Sequence, residues 1–228
     1  MPFSSQTTNS DLPEKECVIL LHGLARTSTS MKKLGKRLRQ AGYVVVNHDY
    51  PSRKATVEEL AEKAIPEALA LCEQQARVSR IHFITHSMGG ILVRWYLANH
   101  ELPKLGRVVM LSPPNRGSEV IDKLSDVPGF QIINGQAGQQ LGTRERDIPK
   151  KLGEANFELG IITGNRSINP FLSLLIPGSN DGKVSLESAR LEGMADFLVL
   201  PHTHPFIMKS DEAIAQSIYF LRHGRFQH

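Results

Sequence analysis

Residues 80–90 read Arg-Ile-His-Phe-Ile-Thr-His-Ser-Met-Gly-Gly, an apolar run that ends in a serine and is followed by twelve residues of helical composition, Met88–Asn99. This order predicts a strand over residues 80–85, a sharp turn centred on Ser87 and a helix starting at Met88. Such a turn lifts a serine above the sheet. The positions two before and two after it must be small, because the strained backbone leaves little room. Gly89 meets that need, whereas Thr85 stands where glycine is usual. Taken alone, Ser87 also reads as a plain helix cap.

Outward from this stretch the pattern alternates. Residues 17–21 form a continuous apolar run of the kind that is buried on both faces of a sheet. Residues 30–41 read as a helix stopped by Gly42, and residues 43–47 as a strand. Thr56 with Glu59 makes a capping box that opens a helix reaching about Ala76, with Pro66 as a point of bending. Strands follow at 107–112, 160–163 and 197–200, and a closing helix at 211–222. Strands alternating with helices predict a mostly parallel, doubly wound sheet with helices on both faces, whose ligands bind beyond the carboxyl ends of the strands. Residues 113–157 and 166–183 break the alternation and read as loops or small excursions above the sheet edge.

The 228 residues suit one α/β domain over residues 17–228 after a flexible leader at 1–16. The net charge of +4 comes from cations interspersed with acids, which read as solvated faces rather than a nucleic-acid patch. No apolar run is long enough to span a bilayer and the leader holds no signal-peptide core, so a cytoplasmic location is expected. Cys17 and Cys72 lie in apolar runs without metal-ligand spacing. Two buried free thiols are expected, with a disulfide as the alternative.

Thr85-His86-Ser87-Met88-Gly89-Gly90, together with Leu20-Leu21-His22-Gly23-Leu24 at the first strand, resembles the lipase and esterase branch of the α/β-hydrolase family, small bacterial lipases with little or no lid above all. The resemblance implies a serine nucleophile, an acid and a histidine in that chain order. Ser87 takes the first place. Asp181, in Ser-Asn-Asp-Gly-Lys-Val after the 160–163 strand, takes the second, with an ordinary Asp-Gly turn as the bland reading and Asp196 and Asp147 as competitors. The histidine stands after the last strand, where both His202 and His204 occur. His204-Pro205-Phe206 fits the family's pattern better, leaving His202 at the rim.

The same resemblance implies two backbone N–H donors for the oxyanion, Leu24 and Met88, whose side chains would line the acyl pocket. His22, His86, Tyr50 and His202 are further candidates for the lining. Residues 49–52 are expected to edge the pocket and residues 112–118 to open the region over it. The apolar stretch at 169–177, with Leu172 and Leu175, belongs either to the core or to a greasy wall of the site. The expected substrate is a small-molecule ester or lipid with a short to medium acyl chain. No cofactor or metal is expected, and a monomer is the default. Fold and triad fix acyl transfer rather than its acceptor, so a thioesterase, amidase or acyltransferase stays open. So does an inactive binding protein on the same fold.

Overall fold

The computed structural model describes residues 14–125, 129–168, 173–174 and 176–228, and all side chains among them except those of 130–133. Six strands form one parallel sheet: β1 (Glu14–Leu21), β2 (Val44–His48), β3 (Arg77–His86), β4 (Leu105–Leu111), β5 (Leu159–Gly164) and β6 (Asp196–Leu200), in the order β2-β1-β3-β4-β5-β6. The sheet starts at β1, runs outward to β2, then reverses across β1 to β3. Ser87 leaves the central β3 on the carboxyl side of the sheet.

Each apolar run divides by the period of a strand. Cys17, Ile19 and Leu21 enter one core, while Val18 and Leu20 enter the other. On β4, Val108 and Met110 likewise oppose Val109 and Leu111. The first core is covered by α2 (Val57–Gln75) and α3 (Met88–Asn99), with Leu60, Ile65, Leu92 and Val93 fully or nearly fully buried. The second lies under α1 (Lys32–Gln40) and, at the end of the chain, the closing helix Asp211–His223, through Leu34, Leu38, Ile214 and Phe220. A strand buried on both faces needs apolar residues at successive positions, which is why these segments read as unbroken runs.

Local signals act as expected. Thr56 accepts from Glu59 N while the Glu59 carboxylate accepts from Thr56 N, and α2 runs through Pro66 as one helix. Gly42 takes φ 99° to end α1. The expected helix over 30–41 divides into a 3-10 turn, Ser28–Met31, and α1.

Two expectations are corrected. Cys17 on β1 and Cys72 on α2 are not free thiols but form a disulfide that closes 55 residues of sequence. Both point into the same core, and the pairing depends on how α2 lies across β1, which neither spacing nor composition reveals. Residues 113–157 are more than loops, since among the described residues they carry three short helices, α4 (Glu119–Leu124), α5 (Phe130–Gln139) and α6 (Ile148–Lys151). The buried Arg94 of α3 ties this excursion down by donating to the carbonyls of Asn115, Pro149 and Gly153. Burial pushes its guanidinium down to about 10. A further short helix, α7 (Leu186–Ala189), precedes β6, and the closing helix is α8. Among the described residues no helix is long and apolar enough to cross a membrane.

Candidate active site

The backbone at Ser87 is left-handed, with φ 52° and ψ −123°. A non-glycine residue held there costs free energy that only the surrounding structure can repay. The glycines around it explain how it is held. A Cβ on Gly89 would lie 2.7 Å from the Leu21 carbonyl oxygen, and one on Gly23 would lie 2.8 Å from His86 Nδ1. Thr85 fits where glycine is usual because the next turn gives way, since a Cβ on Gly90 would stand 3.2 Å from Thr85 Oγ1 and 3.1 Å from Met110 Sδ. The second glycine of Met-Gly-Gly thus compensates for the threonine.

Ser87 is the N-cap residue of α3 by position, yet its hydroxyl does not cap the helix. Thr56, Ser185 and Ser210 all cap theirs. The Ser87 Oγ instead lies 3.1 Å from His204 Nε2, and His204 Nδ1 lies 2.8 Å from Asp181 Oδ2. With Nδ1–H donating to the carboxylate, Nε2 is left to accept from the serine. Asp181 Oδ1 accepts from the Lys183 and Val184 amides at 3.0 and 2.9 Å, and the Asp181 carbonyl accepts from His204 N at 3.0 Å. Both loops are therefore joined through backbone as well as side chains. Burial pushes the Asp181 carboxyl up, but the His204 imidazole beside it and the Val184 amide outweigh burial and hold it below its ordinary value. The group stays a carboxylate in a fully buried position.

The other histidines take different places. His22 is fully buried, with Nδ1–H donating to the Gly23 carbonyl at 2.9 Å and Nε2 accepting from Tyr50 N at 3.3 Å, its ring stacked on Tyr50. His86 Nε2–H donates to the His204 carbonyl at 3.0 Å, so it braces the loop that bears His204. Burial and then the neighbouring His204 push its imidazole well below the ordinary value, leaving it neutral. His202 faces Ser210 Oγ at 2.7 Å, at the start of α8. Asp147 accepts from the Arg144 amide and Asp196 from the Phe226 amide, so neither competing acid meets His204.

A cavity of about 430 Å³ opens beside Ser87 and His204. Leu24, Val120, Ile121, Leu124, Leu141 and Val184 give it an apolar wall, much of it supplied by α4. His86 and Leu24 line it, and so do Pro114 and Ser118 of the 112–118 segment. The expected lining is otherwise corrected. Met88 points into the core under α3, because the first turn of that helix faces the sheet. His22 and Tyr50 stand behind the loop that carries Leu24, and His202 is turned to α8. Residues 49–52 buttress that loop rather than edge the cavity, with Ser52 Oγ accepting from Ala25 N and Asp49 from Ser28 N. Leu172 and Leu175 lie outside the described residues. The Leu24 and Met88 N–H groups find no acceptor among the described residues.

Sequence reasoning missed Arg26, Lys183, Ile168 and the α4 wall. Arg26 and Lys183 each stand two residues beyond a recognised position, Leu24 and Asp181, which was the available signal.

Among solved structures the chain is similar to the lipase BlEst2 of Bacillus licheniformis in its mature form, at 19% identity and TM-score 0.66, covering 92% of this chain and 93% of that one. It is similar to a thermophilic esterase from Thermogutta terrifontis at 19% identity and TM-score 0.62, covering 93% and 92%. The phospholipase PlaB of Legionella pneumophila matches at 19% identity and TM-score 0.62 over 77% of this chain and 45% of its own length. These likenesses concern the fold, and no curated protein matches. The family model described as palmitoyl protein thioesterase matches residues 17–154, well over half the chain, so this chain belongs to the palmitoyl protein thioesterase family.

Proposed function

We propose that the protein is a serine hydrolase that cleaves carboxylic esters through an acyl-enzyme on Ser87. The observation that carries this reading is the continuous contact from Asp181 through His204 to a serine that is strained, uncapped and beside a cavity. A serine hydroxyl is a weak nucleophile at neutral pH. In the first half-reaction Ser87 Oγ attacks the acyl carbon, and its proton passes to His204 Nε2. Asp181 holds the ring and stabilises the imidazolium without taking the proton. The negative oxygen of the tetrahedral intermediate accepts from the Leu24 and Met88 N–H groups, the latter at the N-terminus of α3. The intermediate collapses as His204 returns the proton to the departing alcohol. Water then repeats the sequence on the acyl-enzyme, releasing a carboxylic acid and restoring Ser87.

The apolar wall supports an acyl chain as the group taken up, and the cavity volume suits one of short to medium length. Thioesters are the second reading, favoured by the family match over residues 17–154. The test is the rate of hydrolysis of p-nitrophenyl esters of graded chain length beside acyl thioesters of N-acetylcysteamine, by wild type and Ser87→Ala. Turnover of esters by wild type, lost in the variant, is the expected result. Turnover of thioesters alone selects the second reading, and turnover of neither contradicts both.

A further inference from the structure

The charges around the cavity are unevenly placed. Of the described residues that line it, three carry charge at neutral pH: Arg26, Asp181 and Lys183. Asp181 is fully buried behind His204 and is spent on that contact. Arg26 and Lys183 are exposed to solvent, so they stand at the rim and give the entrance two positive charges. Neither has a carboxylate within 4 Å among the described residues. Crowding by the surrounding protein pushes the Lys183 amine below its ordinary value and the Arg26 charge adds to that, while Asp181 opposes both. Two like charges lining the mouth of one cavity give it a positive potential that favours an anion.

The apolar wall fixes which end of a substrate meets them. Leu24, Val120, Ile121 and Leu124 take the acyl chain, so the alcohol or thiol half, on the other side of the scissile bond, faces the rim. We infer that the protein selects acyl substrates whose leaving group is anionic, bearing a phosphate or carboxylate that Arg26 and Lys183 bind together. The inference rests on the ester-hydrolase reading and adds the chemical class of the leaving group. Guanidinium and ammonium suit it, the first as a planar fork and the second as a compact point charge. A lipid headgroup and a soluble acyl carrier both offer such a group. Exposed Ile168 on the lining and exposed Phe206 next to the lining Pro205 place apolar surface at the same rim.

The test compares two nitrophenyl esters of one acyl chain, one with a carboxylate on the ring and one without, and reads the ratio of their kcat/KM values. Because each ester keeps its own reactivity across variants, a change in the ratio reports binding of the charge. Arg26→Gln and Lys183→Gln are each expected to lower the ratio by about fivefold, and the double variant by more than tenfold. For wild type, needing no variant, the ratio is expected to fall as salt is raised from low to about 0.5 M. A second arm offers monoacylglycerol and its phosphate in neutral micelles. Preference for the anion in both arms supports the inference with a soluble source, and preference in micelles alone supports it with a lipid source. A ratio insensitive to salt and to both substitutions, with both esters turned over and no preference for the phosphate in micelles, overturns it and leaves the ester-hydrolase reading standing. Hydrolysis of neither ester overturns that reading and this inference with it.

Discussion

Two loops at the carboxyl edge of the sheet present a buried histidine near Ser87, and they differ in what holds the ring. In the loop after β1, His22 Nδ1–H donates to the adjacent Gly23 carbonyl and Nε2 accepts from the Tyr50 amide, so both ring nitrogens are spent on shaping the loop that carries Leu24. In the loop after β6, His204 Nδ1 faces the Asp181 carboxylate and Nε2 faces Ser87. A neutral carbonyl fixes a tautomer, whereas a carboxylate also stabilises the ring when it becomes charged. Burial pushes the His22 imidazole down, which suits a neutral strut. The Asp49 carboxylate also lies 3.4 Å from His22 Nε2, but it is exposed to solvent and burial outweighs it, whereas the carboxylate beside His204 is fully buried.

The contrast is open to breakage. His204→Gln is expected to lower kcat by about 10⁴-fold or more, and Asp181→Asn by a similar amount, since either leaves the serine without an oriented base. His22→Phe is expected to cost about tenfold to a hundredfold, through loosening of the Leu24 N–H rather than loss of a proton acceptor. Steady-state kinetics on a p-nitrophenyl ester compare them. Equal losses at His22 and His204 would erase the distinction.

A second prediction concerns the fit beneath the turn. Gly90→Ala is expected to destabilise the protein by about 1–3 kcal/mol, because the new methyl meets Thr85 and Met110. In a Thr85→Gly background the same change is expected to cost less. Denaturant midpoints of the four proteins read the coupling, and identical costs in both backgrounds would show that Gly90 does not compensate for Thr85.

The smallest expected effect sharpens the comparison with a third histidine, His86. Its folded-state value lies well below 6.5, so the unfolded chain takes up the proton first as pH falls. Stability is therefore full above about pH 6.5 and declines below it. Thermal midpoints of wild type should fall between pH 7 and pH 5, and those of His86→Gln should fall less steeply. Parallel slopes would mean that His86 is not held neutral in the folded protein.

The sequence made the strands and the turn legible because parallel strands buried on both faces leave continuous apolar runs, as at residues 17–21, and because a strained serine demands small neighbours. The helix Met88–Asn99 was read with the bounds it has in the structure. Less was legible where position depends on distant packing. The Cys17–Cys72 pairing requires α2 to cross β1, and the α4 wall of the cavity lies in a Gly- and Gln-rich stretch with no helical period to announce it. Asp181 and His204 were reached through chain order and resemblance, since a lone Asp-Gly turn and a pair of histidines do not declare a shared contact. Arg26 and Lys183 carry no signal of their own in the sequence, for only the folded chain places both on one cavity.

The central claim, that Ser87 is activated by His204 to form an acyl-enzyme, is tested most directly by covalent trapping. Wild type, Ser87→Ala and His204→Gln are incubated with a fluorophosphonate and the labelled residue is located by mass spectrometry of the digested protein. The account predicts one adduct, on Ser87, absent from Ser87→Ala and formed far more slowly in His204→Gln. A wild type that stays unlabelled, or a label that persists in Ser87→Ala, would contradict it.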